Sequence, residues 1–406
     1  MLKEHGTNLY SRFSMNEAQF FPQQRSHLRR SLEGHIAYFP PKVPRHFTPA
    51  AELIQALSAA DRALGELSGV GKRLRNPHML VQPYLRKEAV LSSKIEGTQS
   101  SLSELLLFEA GAEGPESRRS DLREVANYVS ALQLGLDRLP KLPISQRLIQ
   151  ELHARLMRGV RGGDRTPGQF RKTQNWIGAP GTPIEMADFV PPPPGEALAE
   201  SLDDWERFIH EQDALPPLVR CALMHYQFET IHPFSDGNGR IGRLLMPLFL
   251  LSQGHLSQPL LYLSAYFESH RDAYYRSLSE GRFTGDLSPW LTMFMQAVET
   301  QARDAAERAD KLMSLESEYR KRIAKSRSSV IYPLLDQLMT NIYVTTSEVA
   351  RRNGVTYPTA QHAVSELVKV RVLKEVTGRS SYRIYAATEI LAVLEGRTRS
   401  SARRPK

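Results

Sequence analysis

The sequence predicts a mainly α-helical fold, interrupted by one short β-hairpin and followed by a C-terminal winged helix-turn-helix. Three observations predict it. Apolar residues recur at helical spacing through most of the first 300 positions. A Gly/Pro-rich stretch of β-prone residues breaks that rhythm at 168–194, and residues 331–395 change to short helices, a tight turn and a second hairpin. With 406 residues, 41% of them hydrophobic, the chain is long enough for more than one core.

Residues 1–36 lack clear periodicity and read as an N-terminal arm, and the proline-rich AYFPPKVPRHFTP reads as an extended lead-in. AAELIQALSAADRALGELSGVGKRL then has helical spacing and a stop signal at Gly69 and Gly71. Helical patterns continue through YLRKEAVLSSKIEG, SLSELLLFEA, LREVANYVSALQLGLDRL and ISQRLIQELHARLMRGV. Residues 37–120 therefore form a first helical region and 121–300 a helical core. Within the core, GQFRKTQNWIGAPGTPIEMADFVPPPP reads as a hairpin that ends at four prolines. Residues 301–330, rich in charge and in strong helix formers, make a connecting helix. In 331–395 the order is helix, helix, turn at Asn353 and Gly354, helix, then a hairpin near Gly378, which is that of a winged helix-turn-helix. YPTAQHAVSELVKVRVL is its recognition helix, with Thr359, Gln361 and His362 towards the exposed end and Arg379 and Arg383 in the wing. Residues 396–406 are a basic tail.

The formal charge of +9 favours an acidic partner, although the tail supplies part of the excess as non-specific attraction. No run reaches the roughly 18 apolar residues of a membrane span, and the N-terminus lacks the apolar core of a signal peptide, so a cytoplasmic protein without a membrane partner is expected. The single cysteine, Cys221, excludes an internal disulfide framework and a thiolate zinc site, and reads as a small buried hydrophobe.

The chemistry concentrates in FETIHPFSDGNGRIGRLLM, residues 228–246. Gly237, Asn238 and Gly239 tolerate a strained backbone whose N–H groups converge, and the apolar run from Ile241 starts a helix, so the stretch reads as an anion site at a helix N-terminus. Arg240 and Arg243 lie three apart, on one turn, where guanidinium forks can grip successive phosphate oxygens. A carboxylate in such a cradle, Asp236, needs a divalent cation between it and the phosphates, and Mg²⁺ suits that position. His232 can take a proton from an attacking hydroxyl. By residue type this is a polyphosphate-dependent transferase site. Zinc held by His225, Glu229 and His232 fails because no HExxH pair is present.

The run His232 to Arg243, HPFSDGNGRIGR, resembles the signature of the Fic family, HPFx[DE]GNGRxxR, with every defining position filled. The resemblance implies a helical Fic core and transfer of AMP from ATP to a hydroxyl of a protein. It makes His232 the base and Asp236 the Mg²⁺ ligand. The nucleotide would be held along Gly237, Asn238, Gly239, Arg240, Ile241, Gly242 and Arg243, with Arg240 meeting the β-phosphate and Arg243 the γ-phosphate. Phe234 would anchor the loop in the core. Pro247 offers no N–H to the Arg243 carbonyl, so a bend or a bound water is expected there. The likeness continues more loosely over 40–300. The hairpin takes the place of the family's flap, which pairs with the target backbone, and Thr173, Gln174, Asn175, Trp176 and Ile177 are its candidates. ESHRDAYYRSLSEGR resembles the adenosine-pocket segment and points to Tyr275 and Arg282, with Tyr274 either stacking or packing its helix.

A second stretch, SSKIEG at 92–97, places Ser92 and Glu96 on one helix face with Gly97 closing the helix. It resembles the inhibitory motif [ST]xxxE[GN] that precedes a Fic core, in which the glutamate pairs with the signature's second arginine. A Glu96–Arg243 pair would occupy the fork that the γ-phosphate needs, and in some family members this glutamate also supports removal of AMP. The expected function is a self-inhibited protein adenylyltransferase using ATP and Mg²⁺, acting on a protein with a hydroxyl side chain. A homodimer and DNA at the winged helix are further partners this reading allows. The alternatives are a DNA-binding regulator that senses ATP without transfer and a Fic-type transfer from another nucleotide.

Overall fold

A computed structural model describes residues 15–396 except 16, 32, 75, 76, 111–117, 161–165, 180, 212, 213 and 379–381. Arg379, the tail from 397 onward and the first fourteen residues of the arm lie outside the described residues. Among the described residues the apolar periodicity resolves into sixteen α-helices and five short strands. The helices are α1 (Pro22–Arg25), α2 (Ala51–Arg73), α3 (His78–Ile95), α4 (Leu102–Glu109), α5 (Arg119–Arg138), α6 (Gln146–Leu156), α7 (Glu196–His210), α8 (Pro217–Ile231), α9 (Asn238–Ser252), α10 (Ser264–Ser269), α11 (Arg271–Thr284), α12 (Ser288–Arg322), α13 (Ile331–Thr340), α14 (Thr346–Asn353), α15 (Tyr357–Lys369) and α16 (Thr388–Glu395). The strands are β1 (Leu28–Arg30), β2 (Ile36–Tyr38), β3 (Tyr343–Thr345), β4 (Lys374–Glu375) and β5 (Ile384–Ala386). No helix among the described residues is long and apolar enough to cross a membrane.

The chain forms two compact units that interleave in sequence. One comprises residues 1–59, 133–252 and 270–296, the other 60–132, 253–269 and 297–406. In the first unit α8 is the central rod, with every residue from Leu218 to Ile231 buried. It packs against α7 and α9. Trp205 and Trp290, both fully buried, donate their indole N–H groups to the carbonyls of Met224 and Ala222. The lead-in is pinned to α7: the Val43 N–H donates to Asp204 at 2.9 Å, and Arg45 bridges Asp204 (3.0 Å) and Glu211 (2.7 Å).

The arm is more ordered than its lack of periodicity suggests. Its β1–β2 hairpin has only three residues per strand, too few to show an alternation, and turns at Gly34 with φ +89°. Met15, Phe20, Ala37 and Tyr38 bury themselves against Ala187, Phe189 and Val190, so the arm forms the floor under the flap. The flap itself is pared down to a single antiparallel bridge, Ile177 to Phe189, with a 3₁₀ turn at Ile184–Met186. Prolines within it and the Pro191–Pro194 run remove ladder donors, and its glycines weaken strand pairing, so no longer ladder forms.

In the second unit α3 packs against α4, α10, α13 and α16. Helix α4 begins with a capping box, Ser101 and Glu104, a signal present in its sequence. The C-terminal segment runs α13, β3, α14, a Gly354 turn with φ +62°, α15 and the β4–β5 pair. Its sheet has the order β3-β5-β4, antiparallel throughout, with Val344 opposite Tyr385 and Lys374 opposite Ala386. The strand β3 was not visible in the sequence, because three residues between two helices leave no period to read.

Gly281 shows how tightly the first unit is built. A Cβ there would lie 2.8 Å from the Tyr226 ring and 2.8 Å from Leu287. Gly281→Ala should lower stability by about 1–2 kcal/mol despite alanine's better helix propensity, because overpacking outweighs that gain. Thermal unfolding should show a midpoint lower by a few degrees.

Candidate active site

The site is built on the passage from α8 to α9 in the first unit. Helix α8 stops at His232, whose φ of 50° and ψ of 60° put a non-glycine residue in the left-handed region. Its N–H still donates to the Phe228 carbonyl at 2.9 Å. Gly237, at φ +78°, reverses the chain into α9. A Cβ on Gly237 would meet Met157 Sδ at 3.1 Å and Leu156 at 3.4 Å, so glycine is needed for space as well as for conformation.

Between these ends the loop is stapled by its own residues. The Asn238 side chain turns inward, accepting from the Phe234 N–H at 2.8 Å and donating to the Phe234 carbonyl at 2.7 Å. Asn238 can therefore offer a ligand only its backbone. Phe234 is fully buried and lies parallel to the His153 ring, 3.8 Å between centroids, with Phe170 on its other neighbour position at 5.3 Å. Phe234 is thus the core anchor expected of it. The first-turn N–H groups of α9 have no intrahelical acceptors and carry the positive end of the helix dipole.

The charged groups fall into place around that end. Asp236 is half-buried and accepts the Gly237 N–H at 2.6 Å, with the Arg240 guanidinium 3.5 Å away. Arg240 is buried, its fork against Met157 Sδ. Arg243 is deeper still, at 1% exposure, and hydrogen-bonds the Tyr274 hydroxyl. Tyr274 in turn lies 2.8 Å from His225 Nε2, and burial holds His225 near pKa 3, so it stays neutral and accepts from the phenol. Ile241 and Gly242 are buried along α9, and a Cβ on Gly242 would meet Glu229 Oε1 at 2.5 Å. Helix α9 stays continuous across Pro247.

Of the pocket candidates, Tyr275 is half-buried with Arg271 5.8 Å over its ring. Arg282 is buried, donates to Thr230 Oγ1 at 3.2 Å and covers the Phe189 ring at 4.2 Å, which ties the flap base to α8. In the flap, Thr173 and Trp176 are exposed, while Gln174, Asn175 and Ile177 are half-buried. Ser92, Glu96 and Gly97 belong to the second unit. There Ser92 is fully buried, Glu96 is exposed at the C-cap of α3, and Gly97 has φ +102°.

Among the described residues no cluster of three His, Cys, Asp or Glu side chains could hold a metal by itself. A single outward carboxylate, Asp236, beside a helix N-terminus fits Mg²⁺ that arrives on a polyphosphate, since Mg²⁺ keeps waters and takes one or two carboxylates. Two residues that the sequence did not single out complete the frame. His153 accepts the Gly168 N–H at Nδ1 (2.9 Å) and so donates from Nε2 to the Asp236 carbonyl (3.0 Å). Arg171, 2% exposed, donates to the His232 carbonyl at 2.9 Å. Their only sequence signals were a histidine in the apolar face of ELHARLM and an arginine after Phe170.

Residues 54–137 match the Fic/DOC family N-terminal region and residues 143–250 match the Fic/DOC family. The chain is similar to the protein adenylyltransferase Fic of Drosophila melanogaster, 30% identical over 197 residues, which are 46% of this chain and 36% of that protein. The Drosophila grimshawi protein of the same name is 33% identical over 161 residues, 39% of this chain and 29% of the relative. This chain thus spans about a third of the length of these curated relatives. Among solved structures, a Fic family protein from Desulfovibrio desulfuricans aligns with TM-score 0.56 at 18% identity, covering 84% of this chain and 97% of its own. A Fic domain containing signaling protein from Bacteroides thetaiotaomicron aligns with TM-score 0.50 at 19% identity, covering 64% and 97%. These two likenesses show the fold.

Burial pushes the His153 pKa down to about 4, below the 6.5 of a free imidazole. The unfolded chain therefore takes up a proton that the folded one refuses. Stability from this group is complete above pH 6.5 and is lost as pH falls towards 4. Between pH 7 and 5 the loss is about 2 kcal/mol by linkage. Urea unfolding should show that His153→Asn, although less stable at pH 7, loses less stability over this interval than the wild type, with His225 contributing the same sign in both.

Proposed function

With the N-terminal and core regions of the Fic/DOC family both present in this chain, we propose that it is a protein adenylyltransferase, moving AMP from ATP to a hydroxyl side chain of a target protein. What supports this reading is the succession of His232, Asp236, Arg240 and Arg243 along the α8–α9 loop and the first two turns of α9, with the loop backbone held by Asn238, His153, Arg171 and Asn175. His232 takes the proton of the target hydroxyl as its oxygen bonds to the α-phosphorus, and the bond to the departing pyrophosphate breaks. Asp236 would hold Mg²⁺, which neutralises phosphate charge when bound. The amides of the first turn of α9 and the Arg240 and Arg243 forks orient the phosphates. Tyr275, half-buried on α11, receives the adenine face, and residues 173–177 pair with an extended segment of the target.

Glu96 enters the same proposal as a brake on Arg243. Glu96→Gly should therefore gain AMP on incubation with ATP and Mg²⁺, read as intact mass, while wild type and Glu96→Gly/His232→Ala stay unmodified. Absence of AMP on all three, with ATP still bound, would move the reading to another nucleotide donor or to a nucleotide-sensing regulator.

The C-terminal segment is read as a winged helix that contacts duplex DNA. Support comes from the exposed Tyr357, Thr359 and His362 at the start of α15, Arg351 on α14, and the 89%-exposed Tyr382 beside exposed Arg383 at the hairpin. Binding of labelled duplex should weaken steeply between about 50 and 200 mM salt. No binding at low salt would leave this face, which also exposes Val368 and Val376, to a protein partner.

A further inference from the structure

Arg171 is a buried charge that the transfer chemistry leaves unused. No carboxylate among the described residues pairs with it. Its acceptors are all main-chain carbonyls: His232 at 2.9 Å, Pro192 at 2.5 Å and Ile231 at 3.4 Å. Its own backbone N–H donates to the Pro233 carbonyl at 3.0 Å. Four residues on, Asn175 Nδ2 donates to the Phe234 carbonyl at 2.9 Å and reaches the His232 carbonyl at 3.4 Å. Every carbonyl from Ile231 to Phe234 is thus gripped from the stem of the flap.

Burying a guanidinium without a counter-anion is costly, and it lowers the Arg171 pKa to about 10. A planar fork that reaches several carbonyls at once is what lysine could not supply. The backbone it grips is the one that needs restraint, since His232 holds a φ that non-glycine residues rarely adopt and that persists only when its surroundings over-determine it. Asn175 also lies inside the segment read as the target-docking edge, so one residue touches both the docking strand and the loop.

We propose that Arg171 and Asn175 are positioning residues that couple the flap to His232, so that an extended strand docked at 173–177 sets the geometry of the imidazole that takes its proton. This rests on the adenylyl-transfer reading. The coupling makes target docking a condition for a productive base, not only a source of affinity.

The test compares Arg171→Lys, Arg171→Met and Asn175→Ala in the Glu96→Gly background. Affinity for a fluorescent ATP analogue should stay within about twofold, and KM for a protein acceptor should change little, while kcat falls by about tenfold or more. Lysine, keeping the charge on a single donor nitrogen, should recover part of what methionine loses. A second readout needs no activity: hydrogen exchange of peptides spanning 232–240 should rise about tenfold in the variants, with α6 and α7 unchanged. Asn175→Ala, a half-buried position, keeps the comparison open if the arginine variants fail to fold. Unchanged kcat and unchanged exchange in a folded variant would overturn the proposal, as would a loss confined to KM. If the Glu96→Gly parent transfers nothing, the adenylyl-transfer reading falls, while the exchange arm still decides whether Arg171 and Asn175 hold the loop.

Discussion

The need to satisfy main-chain polar groups in a place with little water governs this site. Six residues carry the chain from a fully buried helix to the start of another, and a loop that short and that deep cannot leave its carbonyls and amides to solvent. Side chains do the work instead. Asn238 closes on Phe234, Asp236 on Gly237, His153 on the Asp236 carbonyl, and Arg171 with Asn175 on the carbonyls from 231 to 234. The signature's asparagine and glycine are explained by this requirement before any ligand is considered. Of the six loop residues, His232, Ser235 and Asp236 stay half-buried and the other three are buried.

The same scarcity of water sorts the ionisable groups. His153 and His225 are both held neutral by burial, and each is used as a hydrogen-bonding relay with a defined tautomer. His153 fixes the Asp236 main chain, and His225 orients the Tyr274 phenol towards Arg243. Neither can take a charge at neutral pH, so neither competes with His232 for a proton. Two buried arginines have different partners: Arg243 hydrogen-bonds the Tyr274 phenol, whereas Arg171 spends its donors on main-chain carbonyls. Their difference lies in what surrounds them, not in residue type.

How much of this was legible in the sequence follows from the range of each signal. The longer helices of both units were readable because a 3.6-residue period sustained over ten or more positions is hard to mistake, whereas α1, α10 and α16, with four, six and eight residues, were not. The loop was readable because its chemistry is contiguous, with thirteen positions carrying histidine, aspartate, three glycines and two arginines. Strands β1, β2 and β3 were not, since three residues have no period and their partners are chosen by tertiary contact. His153 and Arg171 were hidden for a different reason: their partners lie 83 and 61 residues away, and nothing local distinguishes a buried cation from a solvated one. The 168–194 hairpin was drawn too regular, because β-propensity could not weigh the donors that its prolines remove, and it is reduced to the Ile177–Phe189 bridge.

The interleaving of the second unit has an evolutionary consequence. Helix α3, which ends at Glu96, buries Leu80, Val81, Tyr84, Leu85, Ala89 and Val90, and it packs against α13 and α16 of the C-terminal segment as well as against α4 and α10. Although the segment from α13 to α16 looks like a cassette that recombination could exchange, its α13 and α16 pack on α3, ahead of the signature loop. A replacement module would have to arrive with a matching apolar face for α3. Divergence of the C-terminal segment is therefore tied to drift in α3, and the two are expected to change together as one inherited block.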